Sequence, residues 1–305
     1  MLTEKYRPNK LENIVGNSYI IEQFKNYTNE TIPHMILIGS PGVGKTTSIT
    51  CLGKKLLKEE FNNNFLELNA SSERGIEIIR NKVKTFCQKS IDNEYIKIIF
   101  FDEAESLTIP AQQALRRMIE KYSSKTRFIF ACNSISPIID AIKSRCKIIK
   151  YNKINNKDVK NRIIKICKTE NINYTKKSID YMVDVLDGDL RNIINNIQVI
   201  NSTHKKINIT TVKKVINKPS KFYINKILEY VNLKNTEKAI EIMRKLLING
   251  NDAFEILKLL FNIIIESNYE NKHNFIKYLG EIEYHITDGS DPEIQLCYLL
   301  CLMTD

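Results

Sequence analysis

The sequence predicts an α/β fold in its first half and an all-helical remainder. Two observations carry this. Five short, mostly aliphatic runs, at 35–38, 65–68, 96–101, 127–132 and 147–151, alternate with stretches of helical periodicity. Strands so continuously apolar belong to a parallel sheet covered by helices on both faces, with its chemistry at the strands' carboxyl ends. Beyond Asn155 the strand signal disappears and apolar residues recur at spacings of three and four.

In chain order, the charged segment Glu4, Lys5, Tyr6, Arg7, Pro8 precedes any periodic stretch, and Pro8 favours an extended entry. A helix pattern over 20–27 leads into the first strand. Between that strand and the helix pattern 47–60 lies Gly39, Ser40, Pro41, Gly42, Val43, Gly44, Lys45, Thr46, which places three of the chain's ten glycines within six positions. The G-x-x-x-x-G-K-[ST] spacing arises by chance in roughly one per cent of chains this long. Backbone N–H groups turned inward around an oxyanion need glycine there, because a Cβ would obstruct the approach. In such a loop the lysine reaches the β and γ phosphates of a triphosphate, the threonine hydroxyl meets Mg²⁺, and the following helix presents its N-terminus. The second strand runs into Asn69, Ala70, Ser71, Ser72, Glu73, Arg74, Gly75, a turn that opens a helix over 76–88 carrying Arg80 and Lys84 one turn apart. The third strand ends in Asp102, Glu103, Ala104, Glu105, and Pro110 starts a helix through 121. The fourth strand closes at Asn133. A short turn or helix over 137–143 leads to Ser144, Arg145, Cys146 and the fifth strand. Helix patterns follow over 158–170, 176–186 and 190–201, with a short one after Thr210. Pro219 interrupts the series, and five more occupy 221–231, 236–248, 253–268, 272–286 and 292–303.

Composition narrows the function classes. With 305 residues and 43% apolar content, two or three domains with buried cores are expected. No apolar run is long enough to span a membrane, and the charged N-terminal stretch argues against a signal peptide, so an intracellular protein without membrane attachment is expected. Seven cysteines without a C-x-x-C pair support neither a disulfide framework nor a zinc ribbon, and the four histidines lack metal-ligand spacing and read as structural. A net charge of +11 favours a polyanionic partner, although a compositionally biased genome also yields many Lys and Asn.

Asp102 and Glu103 stand where a Mg²⁺-holding aspartate and a water-polarising glutamate are needed at the end of an apolar strand. Asn133, one strand further on, fits a partner of that water or of the γ-phosphate. A solvated acidic turn and a turn asparagine are the plain structural readings.

These motifs, in this order, resemble the AAA+ ATPases, and more narrowly the small subunits of the clamp loader replication factor C. The resemblance rests on Glu4 to Pro8 with Ile14, Val15, Gly16, Asn17; on the phosphate loop; on 68–76, 101–105, 111–117 and 132–146; and on Gly188, Asp189, Leu190, Arg191, Asn192. It implies a P-loop AAA+ domain over 1–154, a helical lid over 155–218 and an all-α collar over 219–305 that holds a ring together. It implies ATP and Mg²⁺ as ligands, with Tyr6, Arg7, Pro8, Val15 and Gly16 closing over adenine and residues 39–46 plus Thr47 on the phosphates. Thr46 and Asp102 would hold Mg²⁺. Lys45, Glu103, Asn133 as sensor 1 and Arg191 as sensor 2 would serve hydrolysis, with Arg145 acting in trans as an arginine finger on a neighbour's ATP. Arg80 and Lys84 would follow the DNA backbone, and Arg116 or Arg117 would face a subunit interface. The implied partners are sibling subunits in a hetero-oligomeric ring, a pentamer, together with a sliding clamp and primer–template DNA, at the site of DNA replication (the nucleus in a eukaryote). Against the family pattern, Glu105 replaces the usual last Asp of its box, Ser72 an Asp, and Pro137 and Ala141 a Lys and a Pro. Two rivals stay open. A Holliday-junction branch-migration helicase would carry a winged-helix module with a basic β-hairpin at its C-terminus, and a scaffold subunit would bind ATP without turning it over.

Overall fold

The computed structural model describes residues 1–72, 76–90, 95–216, 219, 221–267, 269 and 271–304. The turn expected at 73–75 and the end of the helix expected to reach 268 lie outside them. The chain forms two compact units, Met1–Ile209 and Thr210–Asp305.

In the first unit, β1 (Met35–Ile38), β2 (Phe65–Asn69), β3 (Lys97–Asp102), β4 (Thr126–Cys132) and β5 (Lys147–Lys150) form one parallel sheet in the order β2-β3-β4-β1-β5. Alternation along each strand sends neighbouring side chains to opposite faces. Met35, Leu37, Ile98, Phe100 and Ile129 pack beneath α2 (Ser18–Asn26) and α3 (Lys45–Leu57). Ile36, Ile99, Phe101, Phe128 and Phe130 face α5 (Ile76–Gln88), α6 (Ile109–Tyr122) and α7 (Asp140–Lys143). The three inner strands β1, β3 and β4 are therefore mostly apolar because both of their faces are covered, whereas the edge strands β2 and β5 are buried at one position each. Phe101 and Phe130 stack at 5.0 Å between ring centroids and tie β3 to β4 just below their carboxyl ends.

Two features depart from the sequence reading. The N-terminal segment is no simple extended entry. Its first residues form a one-turn helix, α1 (Leu2–Lys5), far too short to persist by propensity and fixed by a bond from the Leu2 amide to Gln198 Oε1 at 2.7 Å. Nor is everything beyond Asn155 helical. α4 (Phe61–Asn64) completes the helices of the sheet region, and α8 (Asn156–Thr169), α9 (Lys176–Val185) and α10 (Leu190–His204) follow. Between them β6 (Asn173–Tyr174) pairs in parallel with β7 (Lys206–Ile207). Two residues per strand are too few to show a period of two in the sequence.

Helix α11 (Ile209–Val215) crosses the boundary between the units. The second unit holds α12 (Lys221–Asn232), α13 (Thr236–Ile248), α14 (Ala253–Glu266), α15 (Lys272–Thr287) and α16 (Pro292–Thr304) around a core that includes Ile227, Met243, Leu260, Ile282 and Leu299. The described residues of this unit form these five helices and show no winged-helix β-hairpin. Its surface exposes Leu233, Ile248, Tyr284 and Ile294. Among the described residues no helix is long and apolar enough to cross a membrane.

Candidate functional site

At the carboxyl ends of β1, β3 and β4 the first unit opens into a cavity of about 480 Å³, within the range of small-ligand sites. The loop after β1 forms its floor. Gly42 and Gly44 adopt φ of +78° and +94°, and a Cβ on Gly42 would lie 2.3 Å from Asp189 Oδ1. Glycine is thus required twice over there, by conformation and by space. Asp189 also caps α10, accepting from the Asn192 amide at 3.1 Å.

Lys45, the first residue of α3, is buried, and its Nζ donates to the Gly39 carbonyl (2.5 Å), the Ser40 carbonyl (3.1 Å) and Asn133 Oδ1 (3.0 Å). All three ammonium protons are engaged, so the charge is fixed at the centre of the loop. Burial pulls the Lys45 pKa down, while Asp102 and Glu105 push it back up. The Thr46 hydroxyl donates to Asp102 Oδ2 at 2.8 Å, and the Glu103 amide donates to Asp102 Oδ1 at 3.0 Å. Glu103 has φ of +53°, a left-handed conformation that costs a non-glycine residue about 1–2 kcal/mol. That turn leaves its carboxylate exposed on the cavity wall. Stored strain of this kind is common where a side chain must be aimed.

The residues fit a nucleotide with Mg²⁺. The glycine loop leaves room that a Cβ would fill, a fixed ammonium faces it, and a hydroxyl and a carboxylate supply the hard oxygen donors that Mg²⁺ takes. On the far side Tyr6, Arg7, Pro8 and Val15 join Ile154 and Ile194 in a mixed wall. Gly16, at φ +79°, packs on Ile154 instead of facing the cavity. Thr47, Asn133 and Arg191 also line the cavity, Arg191 from the first turn of α10. Gly39 and Ser40 serve through their carbonyls.

Sequence reasoning missed several contributors. Arg162 on α8 lines the cavity and donates from Nη2 to the Tyr6 carbonyl at 2.8 Å. Glu170, at the end of α8, accepts from the Tyr6 hydroxyl and pairs with Lys5 at 2.6 Å. The N-terminal segment is thereby tied to α8. Glu67 on β2 also faces the cavity, its carboxyl pushed up by burial. Glu105 accepts from the Asn133 amide at 3.1 Å and from Asn133 Nδ2 at 2.7 Å. Only a motif signal at position 105 pointed to it; the others carried none.

Arg145 lies outside the cavity. Its guanidinium donates to Glu120 Oε1 (2.6 Å) and to the Ala141 carbonyl (2.7 Å), and Glu120 also pairs with Arg116 at 3.3 Å. These two arginines hold the Glu120 carboxyl below the usual range, Arg116 contributing most. Arg80 and Lys84 are exposed on α5, away from the cavity. His34 is partly buried, its Nδ1 accepting from the Phe128 amide at 3.0 Å.

The family model described as ATPase family associated with various cellular activities (AAA) matches residues 35–154, and that for the replication factor C C-terminal domain matches 219–301. The replication factor C small subunit of Methanococcus vannielii is 39% identical over 98% of this chain and 97% of its own length. The chain belongs to the replication factor C small-subunit family. Replication factor C subunit 4 of Saccharomyces cerevisiae is 38% identical over 97% of this chain and 93% of its own. The small subunit of Sulfolobus acidocaldarius is 40% identical over the same shares. As a replication factor C small-subunit relative, the chain is an ATP hydrolase of the AAA class, a clamp-loader subunit of DNA replication acting within a multi-subunit complex. Among solved structures, the Thermotoga maritima RuvB Holliday junction branch migration motor superposes with a TM-score of 0.57 at 17% identity, over 74% of this chain and 79% of its own. That likeness is one of fold alone.

Proposed function

We propose that this chain binds Mg-ATP in the cavity and hydrolyses it to open a sliding clamp and load it onto primer–template DNA, as one subunit of a hetero-oligomeric pentameric ring. The observation that carries this reading is convergence. Lys45, the Thr46–Asp102 pair, Glu103 and Asn133 come from three strand ends and meet at one cavity. We assign the ATPase domain to 1–154, the lid to 155–218 and the collar to 219–305.

Lys45 would give up its loop carbonyls for the β and γ phosphates. Thr46 and Asp102 would hold Mg²⁺, which neutralises charge developing on the transferred phosphoryl group. Glu103 orients and polarises the attacking water, and Asn133 contacts that water or the γ-phosphate. Arg191 reaches the same phosphate from the lid, so lid position and nucleotide state are linked. Arg145 faces away from its own cavity and serves the neighbouring subunit's ATP. The exposed apolar side chains of α13, α15 and α16 suit a face for sibling subunits. Arg80 and Lys84 follow the DNA backbone as point charges.

The test separates binding from chemistry. Lys45→Ala should abolish nucleotide binding, because the phosphate cation contributes ground-state affinity. Glu103→Gln should bind ATP with near-native affinity and fail to hydrolyse it. Equal loss of affinity in both variants, measured by titration with a fluorescent ATP analogue, would contradict these roles.

A further inference from the structure

We propose that Glu105 is a positioning residue for ATP hydrolysis, fixing the side-chain amide of Asn133 in one orientation so that its carbonyl meets Lys45 and its remaining N–H is left for the reacting phosphate or water. The inference rests on the reading of this cavity as an ATPase site.

The Asn133 amide sits between two opposite charges. On one side the Glu105 carboxylate accepts from Nδ2 at 2.7 Å, and on the other the Lys45 ammonium donates to Oδ1 at 3.0 Å. A primary amide can be turned over about its last bond, exchanging donor and acceptor. Here the exchange would set a carbonyl against a carboxylate and an NH₂ against an ammonium, losing two charge-assisted bonds for two repulsions. Only one orientation satisfies both neighbours. Because Nδ2 carries two protons and Glu105 takes one, a second N–H is left over on a side chain that lines the cavity.

Glu105 itself is well anchored. It lies in a tight turn closed by bonds from the Ser106 amide to the Glu103 carbonyl (2.9 Å) and from the Leu107 amide to the Ala104 carbonyl (3.1 Å), with Ala104 and Leu107 buried. Oε1 accepts both the main-chain and the side-chain N–H of Asn133. Oε2 is buried and accepts no hydrogen bond among the described residues. Leaving a buried carboxylate oxygen unmatched is costly. An anion held at that cost fits a site where the charge itself is used, on Asn133 and across it on Lys45.

The test is single-turnover hydrolysis and nucleotide affinity in the assembled complex, comparing Glu105→Gln, Glu105→Asp, Asn133→Ala and the Glu105→Gln/Asn133→Ala double variant. The Gln variant keeps an acceptor of the same length without the charge. Turnover by Glu105→Gln should fall roughly tenfold with affinity for the ATP analogue within about twofold, since positioning acts on the chemical step. The double variant should be no slower than Asn133→Ala alone, because the first change acts only through the second residue. If Glu105→Gln does not fold, Glu105→Asp carries the test, and a slow Asp variant with native affinity supports the same role. Native turnover in the Glu105 variants beside a slow Asn133→Ala enzyme overturns this inference alone, as does an additive loss in the double variant or a fall in affinity matching the fall in turnover. Native turnover in Asn133→Ala overturns both this inference and the role given to Asn133 in the site.

Discussion

The charged residues of the cavity are held by bonds that are individually ordinary and jointly restrictive. Lys45 has no free proton, Asp102 accepts at both oxygens, and Glu103 occupies a left-handed turn. His34, at the amino end of β1 and away from the cavity, makes a separate prediction. Burial, then the charge of Arg127, pulls the His34 pKa from 6.5 to about 4. The folded state therefore binds fewer protons than the unfolded chain between those values. Stability contributed by neutral His34 is complete above pH 6.5 and is lost as pH falls toward 4. From pH 7 to pH 5 it should cost about 2 kcal/mol, which His34→Gln, retaining an acceptor for the Phe128 amide, should largely remove. Urea unfolding of both proteins at the two pH values checks this; equal pH dependence would mean that His34 titrates normally.

At the scale of the element, the sheet was legible because its inner strands β1, β3 and β4 are buried on both faces and so read as aliphatic runs. Met35–Ile38 and Lys97–Asp102 stand within a residue of where the sequence placed them. The phosphate loop was legible because its glycines are demanded by local geometry. Contacts such as Arg162 to Tyr6, Glu170 to Lys5 or Asp189 against Gly42 join residues 147 to 165 positions apart, and no local pattern announces them. The β6–β7 pair was missed for the opposite reason, being too brief to show a period. Helix α5 shows how a buried charge can serve an element. Lys97, 2% exposed, donates from Nζ to the Phe86 (2.8 Å), Cys87 (3.1 Å) and Lys89 carbonyls and so caps the helix's C-terminal end. Arg80 and Lys84 thus stand on a fixed helix. If they contact DNA phosphates, replacing each with Ala should lower the log K versus log salt slope of the complex by about one. An unchanged slope in the double variant, with unchanged DNA-stimulated ATPase, would make that face merely solvated.

For the whole molecule, Arg145 is the residue whose proposed role a single chain cannot express. Its guanidinium is held by Glu120 and the Ala141 carbonyl outside the cavity of its own chain. Arg145→Ala should leave turnover by the isolated chain nearly unchanged and slow the neighbouring site in the ring by about 10³ to 10⁵. A comparable loss in both forms would refute action in trans. If ATP turnover in this cavity drives clamp loading, a fluorescent clamp followed on primed DNA with the complete complex, carrying Glu103→Gln in this subunit only, reports it. The expected result is that the complex binds ATP, clamp and DNA but is slow to release the closed clamp. Clamp release and ATP turnover at native rates by that complex would contradict it.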